Sequence, residues 1–307
     1  MIASMQDHLN IAVSAALPQI AAKVTEDGYG SWRIFCADDF ALTATLENDW
    51  LRLRASFAND RIHGNAIPRC AREVLLRNGL LPGGAKLVTA ADRAAVHAAV
   101  EFPLDREAIS AGPIAGDAAP DALKAQLCQS IEDLRQAARR HSNSSNRAAC
   151  RNDARKTVDL PELCTAAGWP FNRRKDSRIT VQLETSREFA QAIIAGDDGV
   201  RATVELYRAN KPLSASSHQA IAVLLLQLGG LSRAVRPAVC TDSGLHVPVL
   251  QASLGPNPSA WELDRILSAL SVAAGMCQRE IALLADEQIS NRYLAMRGWS
   301  ASGEIPV

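Results

Sequence analysis

The chain has 307 residues, of which 48% are apolar and 21% charged, and its Lys/Arg and Asp/Glu balance to a formal net charge of zero. This length suits about two domains, the composition excludes a disordered chain, and no overall field favours nucleic acid or an anionic membrane as partner. The N-terminus carries Asp7 and His8 and lacks the basic start and apolar core of a secretory leader. The longest apolar run, Ala220 to Leu226, is far short of the roughly 20 residues that cross a bilayer. A cytoplasmic protein with no membrane partner is expected. The seven cysteines at 36, 70, 128, 150, 164, 240 and 277 are scattered without a Cys-x-x-Cys pair and read as reduced thiols.

Taken in order, Met5 to Val24 carries Leu9, Val13, Ala16, Ile20 and Val24 at helical spacing and predicts a first helix, with Pro18 kinking it. Strands are expected at Trp32 to Cys36, Ala41 to Leu46 and Trp50 to Phe57. The acidic turns Asp38-Asp39 and Glu47-Asn48-Asp49 between them give an antiparallel meander. Leu51, Leu53, Ala55 and Phe57 alternate with Arg52, Arg54 and Ser56, which marks one buried and one wet face. A helix from Pro68 to Asn78 follows, then a strand pair at Ala85 to Thr89 and Ala95 to Phe102. A helix striped by Leu123, Leu127, Ile131, Leu134 and Ala138 closes the set.

From His141 to Lys156 the chain turns to Ser, Asn, Arg and Ala, as a linker does. The same order then returns. A short helix near Val158 to Ala167 precedes strands at Ile179 to Leu183, Phe189 to Ile194 and Val200 to Tyr207. An apolar helix at Ser217 to Leu228 and strands at Ala234 to Val239 and Leu245 to Ala252 come next. Ser259 and Glu262 have capping-box spacing and open a long helix carrying Leu263, Leu267, Leu270, Ala274, Cys277, Ile281 and Leu284. The run Ala220 to Gly229 matches Cys70 to Gly79, each ending at a glycine suited to a helix C-terminus. The expected fold is α+β, with two tandem copies of a helix, three-strand meander, helix, two-strand, helix domain. Domains are expected over 1–141 and 157–296, with a linker over 142–156 and a tail over 297–307.

No catalytic or ligand-binding signature stands out. Gly28-Tyr29-Gly30-Ser31-Trp32 lacks the Gly-x-Ser-x-Gly form of a nucleophile elbow, and the Gly83-Gly84 and Gly229-Gly230 pairs lack the Lys and Ser/Thr of a phosphate loop. The histidines at 8, 63, 97, 141, 218 and 246 show no helical metal spacing, although His97 and His246 fall at comparable points of the two last strands. Asp38-Asp39 reads as a solvated turn. No catalytic residue, cofactor or metal is expected. From Arg135 to Arg178 eleven Lys/Arg face four acids. Arg139, Arg140, Arg173, Arg174 and Lys175 are therefore candidates for contact with an acidic protein, with nucleic acid a lesser alternative and a solvated linker the plainer one.

The meander Arg33-Ile34-Phe35-Cys36-Ala37-Asp38-Asp39-Phe40-Ala41-Leu42-Thr43-Ala44-Thr45-Leu46 and the late segment Ala99-Val100-Glu101-Phe102-Pro103-Leu104, in this element order, resemble the type III secretion chaperone family. The resemblance implies pairing through the middle helix, so two copies in one chain look like a pseudo-dimer that is monomeric as a molecule. Val74, Leu75, Leu224 and Leu225 match that helix. They would lie between the halves, or else in each half's own core. It also implies a non-enzymatic role, holding an extended protein client or effector in apolar grooves and at sheet edges. A structural or regulatory subunit of a bacterial assembly with the same fold is the alternative, and an enzyme with an unrecognised site ranks below both.

Overall fold

A computed structural model describes residues 2–38, 40–61, 67–81, 83–89, 95–105, 109, 121–142, 158–185, 189–196, 199–208, 212–242 and 245–299. In the first half α1 (Ile2–Ala16) and a 3-10 turn (Leu17–Gln19) lead into β1 (Lys23–Gly28), β2 (Ser31–Phe35), β3 (Ala41–Glu47) and β4 (Trp50–Arg61). Then come α2 (Ile67–Leu80), β5 (Lys86–Thr89), β6 (Ala95–Pro103) and α3 (Asp121–Ser142). The second half runs α4 (Leu160–Ala166), β7 (Phe171–Arg173), β8 (Ile179–Glu184), β9 (Phe189–Ala195), β10 (Val200–Glu205) and α5 (Ala215–Leu231). It ends with β11 (Arg236–Asp242), β12 (Leu245–Leu254), α6 (Ala260–Leu284) and α7 (Glu287–Ala295). The sheets are ordered β1-β2-β3-β4-β6-β5 and β7-β8-β9-β10-β12-β11, with antiparallel pairing throughout. One topology occurs twice, which is the α+β tandem arrangement.

Each meander has four strands where three were expected. The first helix stops at Ala16, before Pro18, and β1 occupies part of the span read as helix. Five of the six β1 residues are exposed, so the strand carries no apolar alternation for a sequence to display. β7 is three residues long and equally silent. Beyond Met296 the chain still turns in an ordered way: Gly298 adopts φ +72° and the Trp299 amide donates to the Leu294 carbonyl, so the final turn is packed as far as Trp299. The expected linker at 142–156 lies almost wholly outside the described residues.

The inner faces follow the alternation in the sequence. Trp32, Ile34, Leu42, Ala44, Leu46, Leu51, Leu53 and Ala55 are buried, in one cluster with Leu9 and Val13 of α1 and Leu123, Leu127, Ile131 and Leu134 of α3. In the second half α6 covers β8, β9, β10 and β12 with Leu263, Leu267, Leu270, Ala274, Cys277, Ile281 and Leu284. By length and composition α6 could cross a bilayer, but this face is spent on the sheet, as in a core helix.

The other face of each sheet is covered at one end only. β6 and β12 are buried on both faces, over Ala98–Leu104 and Val247–Ala252, because α2 and α5 pack on each other and each lies against the opposite half's edge strand, α2 on β11 and α5 on β5. Most buried apolar residues of both halves form one contiguous cluster, and Ala238, Val247 and Val249 of β11 and β12 form a second, small one. Gly79 and Gly229 serve this crossing. Neither has positive φ, contrary to the helix-ending role expected of them. A Cβ on Gly79 would stand 3.1 Å from the Val239 carbonyl, and one on Gly229 would stand 3.1 Å from Cδ of Pro237 and 3.5 Å from Val88. Their smallness lets each helix approach the other half. Gly229→Val should therefore destabilise the protein by about 1–3 kcal/mol in urea unfolding, since the proline ring cannot yield. Leu231→Ala, at a side chain 73% exposed, should change stability by less than about 0.5 kcal/mol.

Candidate functional site

The joint between the halves is built on two buried cations that occupy matching places. Lys86 is the first residue of β5 and Arg236 the first of β11. Lys86 Nζ donates to the carbonyls of Gly229 (2.8 Å), Ser232 (2.5 Å) and Val235 (3.3 Å), at and beyond the end of α5. Arg236 Nη1 donates to the carbonyls of Leu81 (2.9 Å), Gly83 (3.2 Å) and Ala85 (2.9 Å), beyond the end of α2. Lys86 thus closes the end of the other half's helix, whereas Arg236 gathers the loop carbonyls that follow α2. The last carbonyls of a helix lack intrahelical donors and carry partial negative charge, so a cation satisfies them chemically and electrostatically.

The charges are balanced unequally. Lys86 pairs with Glu101 Oε2 at 2.6 Å; that oxygen also accepts from the Ala234 amide at 2.8 Å, and Oε1 accepts from Arg52 Nε at 2.5 Å. Burial pushes the Glu101 carboxyl up, but Lys86, Arg52 and the Ala234 amide outweigh it and hold the group below the usual carboxylate range. Burial pushes Lys86 down, opposed by Glu101. Ala234 takes φ +52° in presenting its amide. A left-handed Ala costs about 1–2 kcal/mol, which a bond to a charged acceptor, worth about 1.5–3 kcal/mol, offsets. Arg236 has no such ion pair among the described residues. Burial, with Arg201, pushes it down to about 9, Asp133 opposes this from a distance, and its Nη2 donates to Gln251 at 3.1 Å.

Further contacts close the joint. Asn78, fully buried at the end of α2, accepts from the Leu87 amide and donates to the carbonyls of Leu87 and Pro237, stitching its own edge strand to that of the other half. Arg265 of α6 reaches Asp49 at 2.7 Å and lies over the rings of Trp50 and Trp261 at 5.6 and 5.7 Å. Arg233 meets Glu47 at 3.2 Å. These acids are all in the first half and the arginines in the second, so the joint is complementary and directional.

Away from the joint the sheets are open. β1 is hydrogen-bonded to β2 alone, and Lys23, Thr25, Glu26, Asp27 and Gly28 are exposed. Phe35, paired with Lys23 across β2, is 38% exposed, and Phe189 on β9 is 65% exposed. Among the described residues no three His, Cys, Asp or Glu stand together as a metal site would need.

Val74, Leu75 and Leu225 are buried and Leu224 partly so, on the two helices that pack together. Arg139 is exposed near the end of α3, and the Arg140 side chain lies outside the described residues. Arg173, Arg174 and Lys175 are exposed at the β7–β8 hairpin, where Asp176 pairs with Arg174 and Arg178. The basic candidates therefore sit on two separate elements. Asp38 pairs with Arg135 at 3.0 Å, which holds its carboxyl low. His97 and His246 are not equivalent: with Lys86 and Arg236 superposed, the pairings Val88 with His97 and Ala238 with Val249 place Val249 at the His97 position. Sequence reasoning passed over Lys86, Glu101, Asn78 and Arg236. The available signal was a charge within an apolar edge strand, at the same place in both copies.

No protein-family model matches the chain, and no curated protein matches it. A solved structure titled "Structure of the HopA1-SchA Chaperone-Effector Complex" is similar over 43% of this chain and 96% of its own, at 18% identity and a TM-score of 0.28. With so slight a superposition it stands as a likeness and decides nothing further.

Breaking the buried pair on one side should cost more than removing it. Lys86→Met is expected to lose about 3–5 kcal/mol in chemical denaturation because it leaves the buried Glu101 with Arg52 as its remaining cation and takes the donor from three carbonyls, and adding Glu101→Leu should recover the part of that loss that belongs to the carboxylate.

Proposed function

We propose that the chain is a non-enzymatic protein-binding protein of type III secretion chaperone-like kind, acting in the cytoplasm, that holds an extended segment of a protein client along β1. The supporting observation is the contrast between sheet edges. β5 and β11 are buried in the joint, whereas β1 is outermost and exposed over almost its whole length. An added strand would satisfy its free main-chain groups, and Phe35 offers an apolar anchor beside it. The counterpart β7 has three residues and runs into Arg173, Arg174 and Lys175; a short, charged edge discourages strand addition. The first half is thus the client-holding half and the second its support.

One observation favours the subunit reading. The outer side of α6 exposes Val272, Met276 and Leu283, one seam of a helix, where α3, matched by its buried positions, carries Glu132 and Gln136 at the places of Val272 and Met276. A permanently folded partner would cover such a seam.

A pull-down with the full chain from native cells, followed by mass spectrometry and amide exchange of the recovered complex, tests the proposal. It expects one or a few secreted proteins, protection of β1 amides in the complex, and capture reduced roughly five- to tenfold by Phe35→Ser, the size of losing about 1 kcal/mol of apolar contact. Unchanged melting would show that the variant is folded. Recovery of non-secreted stoichiometric subunits alone, with β1 unprotected, would replace the client reading by the subunit reading.

A further inference from the structure

The two halves are also tied at the other end of α2. Arg72, on the exposed side of that helix, donates from Nη2 to Nε2 of His246 on β12 at 2.8 Å. His218 of α5 meets the His246 ring edge-on, with centroids 5.6 Å apart. Three elements from both halves thus converge on one imidazole. The bond needs an unprotonated Nε2, which leaves the ring proton on Nδ1; that atom is buried with no hydrogen-bond partner among the described residues. No acceptor described there would stabilise an imidazolium.

We propose that Arg72, His246 and His218 form a proton-operated latch between the halves. The unprotonated His246 ring accepts from Arg72 and fastens α2 to β12. A protonated ring has no lone pair to offer, and its charge drives the guanidinium away. The first turns of α2 then come loose, while its far end stays held by Asn78 and Arg236.

The surrounding charges favour this. α5 carries no Asp, Glu, Lys or Arg, and on β12 the titratable group is His246 itself. β10, paired with β12, carries Arg201 and Glu205, the latter bound by Arg208, and α7, packed on α5, carries Glu287 and Arg292. β11 contributes Arg236, which is turned to the α2 terminus, Cys240, and Asp242 at the hairpin opposite Leu245. On α2 stand Arg69, Cys70, Arg72, Arg77 and Glu73, and Glu73 approaches Arg77 at 4.0 Å. Burial lowers the His218 pKa, and Arg72 and His246 push it the same way. A folded pKa below the unfolded value means that the folded state binds fewer protons. His218's contribution is therefore fully present above the ordinary histidine range and is lost as pH falls through that range toward the lower folded value.

The latch is one-sided. Aligning Gly79 with Gly229 sets Ala222 at the place of Arg72, so the repeat has no second copy of it. Acid would open one seam of the pseudo-dimer and leave its mate closed. This inference is independent of the client proposed above.

Amide exchange of the full chain at pH 7 and pH 5, corrected for intrinsic exchange chemistry, tests it. In the wild type, protection over residues 67–76 should fall roughly tenfold at pH 5, as the loss of one charge-assisted hydrogen bond implies. His246→Gln supplies an acceptor that acid cannot remove, and its protection should hold at both pH values. Arg72→Ala should show low protection already at pH 7 with no further drop, which keeps the test decisive if the histidine variant fails to fold. An unchanged wild type, or an equal fall in His246→Gln, would overturn the latch.

Discussion

The structure depends on two cations buried at the ends of helices to which they do not belong. Placing an ammonium and a guanidinium in an apolar joint costs several kcal/mol per ion before compensation. Here the compensation is specific: three carbonyls for each cation, with Glu101 added for Lys86 and Gln251 for Arg236. Those carbonyls, at the end of α5 and in the loops that follow α5 and α2, would otherwise be shut away from water without donors. Each half supplies the donor for the other's carbonyls, so parting them would strand acceptors on both sides. One apolar cluster running through both halves is the packing counterpart of that arrangement.

The same constraint divides the surface. Because the crossed helices cover the β5 and β11 edges, the opposite edges are where main-chain groups remain open. The copies have diverged there: β1 is long and exposed, whereas β7 is short with a basic flank. The joint itself has diverged too, with Glu47 and Asp49 of the first half facing Arg233 and Arg265 of the second. An isolated half would have to pair with an identical surface and could not reproduce that directionality. Duplication within one chain therefore allows one half to specialise as a support, and allows a device such as the Arg72–His246 contact to exist on one side alone.

Much of the fold was legible. Strands β2 to β4 and β8 to β10 declare themselves because one face is buried and the other wet, so alternation survives in the residues. The helices of the joint declare themselves by apolar runs at equal distances from a glycine. Edge strands β1 and β7 were hidden, since a strand bound on one side and exposed on both faces needs no apolar pattern. The glycines were seen but given the wrong task, because a sequence shows a missing Cβ and not what would collide with one. The candidate site was least legible. Lys86, Glu101, Asn78 and Arg236 looked like ordinary polar residues, and their partners lie between 9 and 159 residues away.

By itself the sequence determined the local elements and the fact that they occur twice, since backbone preference and the period of apolar residues act over a few neighbouring positions. Only the tertiary structure decided that each copy's buried cation binds the other's main-chain carbonyls, which sheet edges remain open, and which histidine meets an arginine. Those outcomes depend on distances between residues far apart in the chain, and on the cost of burying a charge or a carbonyl unless the other half supplies its partner.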